Sequence, residues 1–104
     1  MTIRLIAIDL DGTLLHDDMT ISDYSRKVIR KAMERGYEIV VATGRMWDSA
    51  RKKAETLKLG NVPLICYTGA WIMMSETGEP VRQDGLSPDL ASEILLESKR
   101  RGWN

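Results

Sequence analysis

Two carboxylates stand two residues apart at the end of an apolar run: Asp9-Leu10-Asp11-Gly12 follows Ile3-Arg4-Leu5-Ile6-Ala7-Ile8. Side chains alternate along an extended chain, so Asp9 and Asp11 leave the strand end on one side with Leu10 opposed. Their mutual repulsion asks for a counter-charge. Hard oxygen ligands suit Mg²⁺, which binds through one or two carboxylates and completes its shell with water and substrate phosphate. Gly12-Thr13 supplies backbone N–H groups beside the pair. The same residues also read as a plain turn after a strand, because Asp and Gly are common turn formers.

The second constellation is Ala42-Thr43-Gly44-Arg45, where another apolar run gives way to a helical pattern. A helix N-terminus carries unpaired N–H groups and the positive end of the dipole, so Thr43, Gly44 and the adjoining amides suit phosphate oxygens. The alternative is that Thr43 is only the helix N-cap. Co-location separates the two readings. Where neighbouring strands run parallel, the loops at their C-terminal ends face one crevice, the usual ligand site of open α/β sheets.

The elements that would place these residues are legible from periodicity. Residues 3–8 are apolar almost without interruption, as in a strand covered on both faces. Ser22 opens a helix with Tyr24, Val28, Ile29, Ala32 and Met33 at helical spacing, and Gly36 stops it. A strand over 38–42 follows, then a helix with Met46, Ala50, Ala54 and Leu57 on one side, then a strand over 63–67. This alternation predicts βαβ units and parallel strands. Beyond Gly69, residues 71–75 and 81–83 flank Glu76-Thr77-Gly78-Glu79 as a hairpin. Ser87-Pro88 then starts a third helix, with Leu90, Ala91, Ile94 and Leu95 facing a core and Gly102 ending it.

Composition narrows the function classes. A chain of 104 residues has room for one compact unit, and 43% hydrophobic with 29% charged residues is globular composition. Fifteen basic residues balance fifteen acidic ones, which argues against electrostatic capture of nucleic acid or anionic membrane. The runs Arg51-Lys52-Lys53 and Lys99-Arg100-Arg101 read as solvated faces, the latter complementing a helix C-terminus. Cys66 is the lone cysteine, so no disulfide framework forms within the chain, and it reads as a buried strand residue. His16 reads as a surface residue of a polar loop. No apolar run approaches the ~20 residues of a membrane span, and residues 1–4 lack a signal-peptide pattern. A cytoplasmic location is expected.

Asp9-Leu10-Asp11-Gly12-Thr13-Leu14-Leu15 resembles the first motif of the haloacid dehalogenase superfamily, and Ala42-Thr43-Gly44-Arg45 resembles its second. With Tyr67-Thr68-Gly69-Ala70 and the following hairpin, the pattern is similar to the Cof-type branch, mostly sugar-phosphate and related phosphatases. The resemblance implies an α/β fold: a three-stranded parallel, Rossmann-like half-sheet with flanking helices, then a hairpin and the first helix of a partial cap. Residues 1–80 would be the partial core and 81–104 the beginning of the cap. It also implies that Asp9 attacks phosphorus to form an aspartyl-phosphate, while Asp11 protonates the leaving oxygen and later helps deprotonate water. Thr43, with amides around Gly12 and Gly44, would steady the phosphoryl oxygens. Mg²⁺ would bridge Asp9, the Asp11 carbonyl and the phosphate of a small phosphorylated metabolite, and Arg45 would face substrate or cap.

The family's later Lys motif and acidic motif have no counterpart here, and Lys99, on the third helix, does not supply the first of them. Thr68 stands where the family commonly has Asn. The chain is therefore expected to be a truncated form, weakly active or inactive alone, with its first strand at a sheet edge. From another class, a non-catalytic binding or self-assembly module would pair through that edge, giving a homo-oligomer. A receiver-like phosphoacceptor also clusters Asp with Thr and Lys, but gives no account of Gly12-Thr13-Leu14-Leu15.

Overall fold

The computed structural model describes residues 2–103. Three parallel strands, β1 (Leu5–Ile8), β2 (Glu38–Ala42) and β3 (Pro63–Cys66), are connected by α1 (Asp23–Glu34) and α2 (Trp47–Leu57). A single 3₁₀ turn, Tyr67–Gly69, leads into antiparallel β4 (Trp71–Met74) and β5 (Pro80–Gln83), and α3 (Pro88–Arg101) follows. The sheet order is β1-β2-β3-β4-β5. The expected α/β half-sheet is present, and the hairpin extends the same sheet, which thus runs continuously through residues 80–83.

Local chemistry explains the helix ends. Ser22 caps α1 by accepting from the Ser25 N–H, and Ser87 caps α3 by accepting from the Leu90 N–H, with Pro88 in the first turn. Register sets the core. Ile6 lies opposite Ile39, Ile8 opposite Val41, and Val41 opposite Leu64, so one sheet face presents an apolar row. Ile29 of α1 and Ala50, Ala54 and Leu57 of α2 pack on that row.

Both helices thus cover the same face. Strand order advances one place at a time, and crossovers of constant hand then put successive helices on one side. This corrects the expectation that the first strand is covered on both faces: Leu5, on the other side of an edge strand, is 50% exposed. The same topology leaves Tyr24 and Val28 exposed although their spacing matched Ile29, because α1 meets the sheet along a narrower stripe than the sequence pattern offered.

Three further expectations change. The third strand stops at Cys66, and Tyr67 enters the 3₁₀ turn with a left-handed backbone. Met46 is the exposed cap of α2, not part of its packed face. α3 buries no residue, with Leu90, Ile94 and Leu95 all exposed, since it follows the far end of the sheet and no apolar face of the described residues lies against it. The molecule is accordingly elongated. Its radius of gyration is 16.6 Å, against about 13 Å for a compact chain of this length.

The hairpin itself is pinned down. Ser75 is buried, its hydroxyl accepting from the Val62 N–H at 3.0 Å and donating to the Gly60 carbonyl at 2.8 Å. Trp47 Nε1 donates to the Met74 carbonyl at 3.2 Å, tying α2 to β4.

Candidate active site

β1 ends at Ile8, and the chain then turns so that Leu10 is fully buried while Asp9 and Asp11 stay exposed. Amides of Thr13, Leu14 and Leu15 all donate to the Leu10 carbonyl, curling the segment back on itself. That curl needs a left-handed residue, and Gly12 supplies it at φ +76°. Thr13 Oγ1 donates to Asp9 Oδ2 at 2.9 Å, holding one carboxylate oxygen and leaving the other for a ligand.

From the neighbouring strand, Thr43 continues the ladder: its N–H donates to the Ile65 carbonyl at 2.8 Å, and the residue is buried. Thr43 is not the helix N-cap. α2 begins at Trp47 behind Met46, so Thr43 and Gly44 sit in the loop before the helix. The dipole argument for phosphate binding therefore does not apply at these two residues. Thr43 Oγ1 instead accepts from the Arg45 N–H at 3.1 Å, which closes the loop and keeps the hydroxyl's own proton for another acceptor.

Asp9, Thr43 and Gly44 meet in one cleft of about 400 Å³. Ala42 and Ile65 form its apolar part, and Thr68 and Gly69 contribute from beyond β3. Asp11, Gly12 and Arg45 lie outside this lining. Asp11 is held in a bidentate pair: Arg45 Nε donates to Oδ2 at 2.7 Å and Nη2 to Oδ1 at 2.6 Å. The guanidinium is itself anchored by Ser49 Oγ at 2.9 Å from Nη1, with Met19 Sδ 3.2 Å from Nη2. This hydrogen-bonded pair holds the Asp11 carboxyl below the usual carboxylate range and raises the Arg45 pKa. Arg45 is thus a counter-charge that faces Asp11 in this structure.

The donor set suits a hard cation in kind. Asp9 offers a carboxylate oxygen at the cleft, while the Asp11 carboxylate has both oxygens engaged by Arg45. Among the described residues no three His, Cys, Asp or Glu side chains gather as a metal group. A cation here would therefore depend on Asp9, on main-chain oxygen, and on water or phosphate, an arrangement within the habits of Mg²⁺.

Sequence reasoning missed Ser49, and marked Thr68 only as a departure from the family's usual Asn. Ser49 was legible, because it stands four residues after Arg45, one helical turn on. Thr68 was visible within Tyr67-Thr68-Gly69-Ala70, but its place in the cleft depends on the left-handed turn after β3. Cys66 is fully buried and free, and burial pushes its thiol pKa up. No helix among the described residues is long and apolar enough to cross a membrane.

Fold and site together define an open α/β protein with a cleft at the C-terminal ends of adjacent parallel strands, where such sheets usually take ligands. The chain belongs to the haloacid dehalogenase-like hydrolase family, in its Cof-type branch, and the match covers residues 6–103. Over 70 residues it is 52% identical to the 5-amino-6-(5-phospho-D-ribitylamino)uracil phosphatase YcsE of Bacillus subtilis, a match covering 67% of this chain and 28% of that protein. Over 72 residues it is 38% identical to the pyridoxal phosphate phosphatase YbhA of Escherichia coli, covering 69% and 26% respectively. The structure of a haloacid dehalogenase-like hydrolase from B. subtilis superposes with a TM-score of 0.83 at 32% identity, over 96% of this chain and 34% of that one. The chain thus spans between 26% and 34% of the length of these relatives.

Proposed function

We propose that this chain carries the nucleophile part of a Mg²⁺-dependent phosphatase of small phosphomonoesters. The observation that supports it is the cleft that Asp9, Thr43 and Gly44 line together. Asp9 attacks phosphorus and the ester P–O bond breaks, leaving an aspartyl-phosphate. Thr13, bonded to Asp9 Oδ2, orients the carboxylate so that its other oxygen faces the ligand. Thr43 donates its hydroxyl proton to a phosphoryl oxygen. Asp11 gives a proton to the departing oxygen, then accepts one from the water that cleaves the acyl phosphate. The Arg45 pair holds Asp11 in the ionised form suited to the second step, and the first step requires that pair to open. Asp9 and the main-chain carbonyl of Asp11 would hold Mg²⁺, which would supply charge neutralisation for the phosphate.

Relatives named for phosphorylated small molecules support the substrate class. The 104 residues hold no counterpart of the family's Lys motif or late acidic motif, so turnover by this chain alone is slow. A lone, free cysteine suits a cytoplasmic location. Hydrolysis of p-nitrophenyl phosphate with Mg²⁺ tests the reading: Asp9→Asn drops the rate to background, and an unchanged rate refutes the nucleophile.

A second reading is self-assembly through β1. Ile3 and Leu5, at the sheet edge, are 61% and 50% exposed, and an unpaired apolar edge invites another strand. The solution mass at micromolar concentration tests it, a clean monomer counting against it.

A further inference from the structure

Thr68 is a second hydroxyl at the cleft, and neither motif accounts for it. Its backbone lies at φ 56°, ψ 33°, a left-handed conformation that a β-branched residue adopts only when its surroundings impose it. Tyr67 at φ 49° and Gly69 at φ 97° make this a run of three such residues. Two main-chain bonds impose the turn: the Tyr67 N–H donates to the Arg45 carbonyl and the Thr68 N–H to the Thr43 carbonyl, each at 3.1 Å. Both acceptors belong to the loop that presents Thr43 and Gly44. The strained turn is thus built onto the Thr43–Gly44 side of the cleft.

What the turn achieves is the placement of one hydroxyl. Thr68 lines the cleft with Asp9, Thr43 and Gly44, and its Oγ1 lies 3.4 Å from where a Cβ on Gly44 would stand. The Thr13 hydroxyl is committed to Asp9 and Thr43 Oγ1 accepts from an amide while its own proton stays free; Thr68, an exposed residue, makes no hydrogen bond through Oγ1 to protein among the described residues, so its proton is free as well. Gly or Asn would adopt the left-handed backbone more readily. Keeping Thr there costs backbone strain and gains a hydroxyl, the pattern expected where strain serves a binding site.

We propose that Thr68 is a positioning residue for the ligand's phosphoryl group, its Oγ1 donating to a non-bridging phosphate oxygen. This rests on the phosphatase reading and extends it to a contact from beyond β3.

The test is binding of inorganic phosphate to the 104-residue chain with Mg²⁺, followed through the amide resonances of Thr43 and Gly44, with thermal unfolding in parallel. Thr68→Val keeps the branched shape and removes the hydroxyl. It weakens phosphate about tenfold, as expected for a hydrogen bond to a charged group, and Thr68→Ser restores affinity to within about twofold. Thr68→Gly removes hydroxyl and strain together, so phosphate weakens as in the Val variant while Tm holds or rises. If phosphate shifts these resonances in the wild-type chain and binds the Val and Gly variants equally well, the role of Thr68 is refuted and the phosphatase reading stands. If phosphate leaves the wild-type resonances unmoved, both fall. A Tm drop of more than about 4 °C in Thr68→Gly would mark the side chain as a packing residue and overturn the proposal.

Discussion

Asp11 and Arg45 show how much a single contact decides. Asp11 is half exposed, yet both its oxygens are bonded to one guanidinium that Ser49 holds from behind. Because the folded carboxyl titrates below its usual range, the pair contributes stability above the ordinary carboxylate pKa and loses it as pH falls through the depressed folded value. Arg45→Met should move the Asp11 titration upward toward the ordinary range, read by carboxyl-carbon NMR, and should shrink that acid-side loss of stability. An unmoved titration would show that the pair does not persist in solution. Of this arrangement, the two aspartates and Arg45 were legible in the sequence as chemistry-bearing residues. Their pairing was not, since 34 residues separate Asp11 from Arg45 and only the side-by-side placement of β1 and β2 brings them together.

At the scale of elements, the strand and helix periods were read well and their burial less well. Ala50, Ala54 and Leu57 pack as their spacing implies, while α3, with an equally plausible apolar stripe, packs against nothing buried. Periodicity reports that a helix has an apolar side, not that a partner lies beneath it. The contrast is measurable. Leu64, with no exposed surface, sits in the central strand between β2 and β4, and Leu64→Ala should destabilise by about 2–5 kcal/mol. Leu95, 70% exposed, should lose under about 0.5 kcal/mol as Leu95→Ala. Denaturant unfolding of the two variants compares them directly, and equal losses would place α3 in a packed core after all.

For the whole molecule, the governing feature is a sheet with α1 and α2 on one face and β1 at one edge. Exposed Ile3 and Leu5 lie along that edge, where the self-assembly proposed above would act. If self-association runs through β1, Leu5→Lys should lower the weight-average mass by light scattering at micromolar concentration, because a charged edge residue opposes strand addition. A mass unaffected by Leu5→Lys would exclude β1 as the contact. The elongated shape follows from the other end, where the hairpin and α3 extend away from the packed helices.

The sequence by itself determined the order of elements, the Ser caps of α1 and α3, the family and the identity of the acidic and hydroxyl groups, because these depend on near neighbours and on the side-chain period. Tertiary structure decided what those groups face. It separated Thr43 from the start of α2, locked Asp11 to Arg45, and brought Thr68 into the cleft by a left-handed turn bonded to the Thr43 loop. Each of these rests on contacts between segments far apart in the chain. Such contacts are set by strand order and sheet register, which local sequence patterns constrain only weakly.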